Sequence, residues 1–134
     1  TEDDNTLDCL SQAGIEYVAD WVLDDQPVWL QAKPKPVLSV PYTVEINDIP
    51  MMLLQQHRSE ELLLRGIDQF ERLWQESETI PRVMSISVHP YITGVPHRIG
   101  YFEKLLDHIQ SKAGVVIQTG EQISNWYREQ VPFK

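Results

Sequence analysis

A strand that stops at a histidine and a proline, within Arg82–Arg98, constrains this chain more than any other stretch. Met84, Ile86 and Val88 alternate with Ser85 and Ser87, the period-two pattern of a half-buried strand. The pattern breaks at His89-Pro90, because proline fixes its own φ, carries no N–H for a ladder and pushes its predecessor into extended geometry. A histidine is therefore expected at the carboxyl end of a strand, the edge at which α/β proteins place their chemistry. Gly94 and Pro96 shape the following loop, and an amphipathic helix from about Arg98 to Lys112 closes one βα unit, with Phe102, Leu105, Leu106 and Ile109 as its buried stripe. The plain alternative is that His89 ends the strand and bonds a neighbouring carbonyl.

The rest of the chain supplies scaffold. The spacing predicts a short helix over 5–13, capped by Asn5 or Thr6 and ended by Gly14 at the C′ position. Short strands are expected at 15–18, 28–31 and 37–40, the last two separated by the stiff connector Lys33-Pro34-Lys35-Pro36. Residues 41–50 read as a long irregular segment lining a site, although Asn47 and Asp48 also suit a plain Asx turn. A long helix is expected from Ser59, as its cap, to Gln75, with Leu63, Ile67, Phe70 and Trp74 on its core face. Val115–Gln118 reads as a strand buried on both faces, and Thr119 with Gln122 as a capping box opening a last helix. Strands alternating with helices in the second half imply βαβ units and a mostly parallel sheet.

Composition narrows function. Hydrophobic residues make up 42% of the 134, enough for one core, while a net charge of -9 leaves no clustered cations for nucleic acid or an anionic membrane. The single cysteine, Cys9, excludes an internal disulfide or a thiolate zinc cluster and fits a cytoplasmic setting. No apolar run is long enough to span a bilayer. The loop of residues 19–27 gathers Asp20, Trp21, Asp24 and Asp25, either a solvated turn or one wall of a site.

Taken together, Val88-His89-Pro90-Tyr91-Ile92-Thr93-Gly94 with Pro96 and Arg98, Asp20-Trp21 to Asp24-Asp25-Gln26-Pro27, Pro41-Tyr42 with Glu45-Ile46-Asn47-Asp48, and Thr119-Gly120-Glu121 to Trp126-Tyr127 resemble the C-terminal part of polysaccharide deacetylases with the NodB-homology fold. The nearest branch holds peptidoglycan-deacetylase-like proteins, cyclic imidases and metal-independent allantoinases. The resemblance implies an α/β architecture, the C-terminal portion of a deformed (β/α) barrel over 1–134, and hydrolysis of an amide C–N bond. It makes His89 the general acid toward the leaving nitrogen, a role that suits an imidazole of ordinary pKa about 6.5. It leaves the carboxylate partner open among Asp20, Asp24 and Asp25, Asp20 and Asp25 being the catalytic candidates. Trp21, Asp24, Tyr42, Asn47, Asp48, Tyr91 and Arg98 are the expected substrate-binding residues.

The family's paired-aspartate motif and HxxxH pair are missing here: His57, His89, His97 and His108 include no pair with three residues between them. The expectation is that this chain binds no cofactor, with zinc possible in an intact enzyme whose N-terminal segment carries the ligands. The implied partners are a small cyclic amide or an N-acetyl sugar, together with that N-terminal half or further copies of the chain. A non-catalytic binding or assembly module retaining the pocket, or an inactive fragment, is the alternative.

Overall fold

The computed structural model describes residues 2–134, which form two compact units: the stretch up to Tyr42 together with Gln118–Lys134, and Thr43–Ile117. The first unit holds helix α1 (Thr6–Gln12), strands β1 (Tyr17–Val18), β2 (Val28–Leu30) and β3 (Val37–Ser39), and the last helix, Gly120–Gln130. The sheet order is β1-β3-β2. β1 runs parallel to β3 with Tyr17 opposite Leu38, and β2 runs antiparallel to β3 with Trp29 opposite Leu38. The expected mostly parallel sheet is thus mixed, because the short connector between β2 and β3 can only return the chain antiparallel.

Val18, Ala32 and Val37 form the core of this unit, with Leu7, Leu10 and Leu30 packed on it. Helix α1 also braces the proline-rich connector, whose prolines have no N–H to offer. The Ser11 hydroxyl donates to the Lys35 carbonyl and accepts from the Lys35 N–H, and Asp8 accepts from the Lys33 N–H. Asn5 occupies the N-cap position without a side-chain cap bond, and Gly14 takes the expected left-handed turn at φ +83°. The Thr119–Gln122 capping box forms in full. Arg128 of the last helix bonds Glu16 through both terminal nitrogens and holds its carboxyl below the ordinary range.

The second unit is built on helices α2 (Glu61–Glu76) and α3 (Pro96–Gln110). Phe70 and Leu73 of α2 are buried, as are Leu105 and Ile109 of α3. Close approach is possible because Gly66 faces Leu105: a Cβ there would lie 2.5 Å from the leucine Cδ2. Trp74 is only half-buried, since its indole N–H reaches out to the Ala113 carbonyl. Ser59 is not the cap of α2. The N-cap position is Glu60, without a side-chain cap bond.

Two expected strands do not form ladders. Across 84–88 no strand forms: among the described residues one isolated β-bridge joins Ser87 to Asn47 in parallel, while Met84, Ile86 and Val88 turn into a cluster around Ile46, Met51, Leu62 and Ile92. Val115 packs on the Phe70–Leu105–Ile109 cluster, whereas Val116 and Ile117 are 74% and 71% exposed instead of doubly buried. A buried apolar strand needs ladder partners on its edges, and the described residues supply none at this point. Residues 41–50 begin as the expected irregular segment and run into a π-helical turn, Ile49–Leu54.

Glu71 on α2 ties to His108 on α3 and to Lys112, and the lysine ammonium also lies over the Trp74 ring. Lys112 first, and then His108, hold the Glu71 carboxyl below its ordinary value of 4.5. Folding therefore favours the ionised form. Its contribution is complete above pH 4.5 and is lost as pH falls through the lower folded-state value. Urea midpoints of wild type and Glu71→Gln should accordingly differ at neutral pH and converge on acidification; a gap that persists in acid would refute this linkage.

Candidate active site

The site grows from the single bridge in the second unit. The Ser87 N–H donates to the Ile46 carbonyl and the Asp48 N–H donates to the Ser87 carbonyl, so the segments carrying Asp48 and His89 are locked in register. Asp48 is 0% exposed. A buried carboxylate is tolerated only when its oxygens find donors. Oδ2 accepts the His89 backbone N–H and the Thr93 hydroxyl, both at 2.7 Å, and Oδ1 lies 2.7 Å from His89 Nδ1. An ionised carboxylate only accepts, so Nδ1 carries the proton and Nε2 is left as the working nitrogen. The His89 side chain is 36% exposed.

The turn after His89 is dictated locally. The N–H groups of Ile92 and Thr93 both donate to the His89 carbonyl at 2.9 Å, and Ile92 is buried beneath them. Gly94 is required: a Cβ there would sit 2.4 Å from the Pro90 carbonyl oxygen. Val95, extended, precedes Pro96 at the first position of α3, where a missing N–H costs nothing. Arg98 in that first turn reaches back to the Ile92 carbonyl. Tyr91 is 67% exposed, with its ring edge-on to the His89 imidazole at 5.7 Å between centroids. A fixed imidazole with one free nitrogen beside an exposed aromatic ring can deliver or take a proton at a bound molecule.

A curated Schizosaccharomyces pombe relative, named "Putative polysaccharide deacetylase", is 36% identical over 129 residues, covering 88% of this chain and 40% of its own length. Two solved structures share the architecture. One, a "probable Polysaccharide deacetylase" from Pseudomonas aeruginosa PAO1, matches with TM-score 0.86 and 29% identity over 94% of this chain and 43% of the other. The second, Puue allantoinase, matches with TM-score 0.90 and 25% identity over 99% of this chain and 45% of the other. The chain belongs to the polysaccharide deacetylase family. It has the α/β fold of the NodB type and spans less than half the length of these relatives. No family model matches it.

Against the family pattern, the partner of His89 differs from the three candidates named from sequence: it is Asp48, counted there among the substrate-binding residues. Full burial turns Asp48 away from a ligand and onto the imidazole. Asn47 is buried too, its Oδ1 accepting the Ile49 N–H in the Asx turn that was the plainer expectation. Asp20, Trp21, Asp24, Asp25 and Tyr42 belong to the other unit. There Asp24 accepts from the Asp25 N–H and the Gln26 amide in a turn. Asp20 bonds Glu2, whose carboxyl is pushed above its ordinary range chiefly by that bond. Trp21 walls an open pocket with Glu2, Asp3, Asp4 and Leu7.

The sequence around Asp48, Glu45-Ile46-Asn47-Asp48-Ile49, mixes polar and apolar residues and gave only a weak signal of its burial. Thr93 carried no comparable signal. No group of three or more His, Cys, Asp or Glu side chains suited to a metal occurs among the described residues. No helix among these residues is long and apolar enough to cross a membrane.

Removing the Asp48 carboxylate strands three donors at once. Asp48→Ala should cost about 3 kcal/mol or more, read from urea unfolding, because hydrogen bonds to a charged acceptor contribute about 1.5–3 kcal/mol each. A loss below about 1 kcal/mol would mean that the buried carboxylate does not organise the turn.

Proposed function

We propose that this chain forms the C-terminal part of a hydrolase domain acting on amide C–N bonds, and that His89 is its general acid. The observation carrying the proposal is the pairing of Asp48 with His89 Nδ1, which leaves Nε2 on a partly exposed ring. In the protonated ring Nε2–H is a donor. Water adds to the amide carbon, the C–N bond breaks, and the Nε2 proton passes to the departing nitrogen, which leaves as an amine. Asp48 stabilises the imidazolium before transfer and holds the ring afterwards. The residue that deprotonates the water is assigned to sequence of the longer relatives that this chain does not cover, as is any metal.

The relatives' names suggest two substrate classes, an N-acetylated sugar polymer and the small cyclic amide allantoin. Tyr91, largely exposed beside the imidazole, would stack on either ring. His89→Ala should lower kcat/KM by about 10²–10⁴-fold, the usual worth of a positioned proton donor, in a chain that still folds but with a lowered unfolding midpoint, because Asp48 Oδ1 loses its donor. The assays are acetate release from an N-acetylglucosamine oligomer and ring opening of allantoin, run on the full-length protein. Undiminished turnover by that variant would remove His89 from the chemistry.

A further inference from the structure

We propose that Thr93 is a positioning residue, whose hydroxyl clamps the Asp48 carboxylate so that Oδ1 faces His89 Nδ1. This deepens the reading of His89 as an acid and rests on it for the catalytic consequence only. An aspartate carboxylate turns readily about its last torsion, and a single bond from an imidazole does not fix its plane. Asp48 is fixed from the other oxygen: Oδ2 accepts both the His89 backbone N–H and the Thr93 hydroxyl at 2.7 Å. With Oδ2 doubly engaged, Oδ1 alone faces Nδ1.

The clamp belongs to the same turn as the histidine. The Thr93 N–H donates to the His89 carbonyl, so the residue that presents the hydroxyl is registered on the residue whose ring it serves. Thr93 is 2% exposed, which leaves no room for bulk water to substitute as donor. Its β-branched side chain has few rotamers, so the hydroxyl stays aimed without further support. Ile92, buried before it, and Gly94, whose hydrogen fits against the Pro90 carbonyl where a methyl would not, hold the backbone at this one point. A threonine serving only to fill space would need no hydroxyl here, and valine would pack as well.

The test compares Thr93→Val, which removes the donor at nearly constant volume, with Thr93→Ser, which keeps it. The primary readout is the downfield proton resonance of the His89 Nδ1–H in the full-length protein, assigned by its disappearance in His89→Gln. The Val variant should lose this resonance to solvent exchange and the Ser variant should retain it. With the two amide probes named above, kcat should fall about tenfold in Val, the size typical for removing the outer partner of an active-site imidazole, with KM within about twofold and recovery in Ser.

A folded Val variant that keeps both the resonance and its kcat overturns the proposal. If the Val variant does not fold, the same resonance in Thr93→Ala and Thr93→Ser decides: loss in Ala alone supports the clamp, and equal behaviour overturns it. Loss of the resonance in Val, in a wild-type protein that turns over neither probe, would sink the hydrolase reading while leaving the Thr93 assignment standing.

Discussion

The turn that presents His89 answers to one burial, that of the Asp48 carboxylate. A charge wholly removed from water is sustainable only if each oxygen is met by a donor at close range. The chain meets that demand from a single turn, taking two donors from His89 and one from Thr93. The bonds that keep the charge tolerable are thus the bonds that orient the imidazole. Burial of the charge and orientation of the ring are coupled at this point because the same atoms carry both.

Rigidity reaches the turn from its two flanks. Upstream, the Ser87–Asn47 bridge fixes where the segment before it ends. Downstream, Pro96 starts α3 directly after Val95, and α3 is pressed against α2 through the Gly66–Leu105 contact. The histidine therefore stands between a bridge and a packed helix pair, with Ile92 driven into the cluster of Ile46, Met51 and Leu62 below it. Regular strand geometry was not needed to hold it.

Much of this was legible where the physics is local. Gly14 as a left-handed helix stop, Thr119 with Gln122 as a capping box and the His-Pro break followed by a tight turn all rest on bonds spanning a few residues. What depends on distant partners was not legible. The alternation of Met84, Ile86 and Val88 reports a face that packs, and says nothing about whether a ladder forms beside it. Val115–Gln118 has the composition of a buried strand and leaves Val116 and Ile117 in solvent. Asp48 and His89 are 41 residues apart, and no periodicity links them. Family likeness named the histidine and, lacking coordinates, drew its carboxylate from the more conspicuous Asp20–Asp25 loop.

The crowding around Gly94 has a further consequence for anyone wishing to redesign this protein. Within the turn, Pro90 sets the backbone, Ile92 and Thr93 are interior, and a side chain at 94 would collide with a carbonyl. Tyr91, largely exposed, is the position of the turn that can be altered without disturbing the His89–Asp48 pairing. A library varying that residue alone leaves the turn intact, and wider randomisation would give mostly chains in which the turn has collapsed.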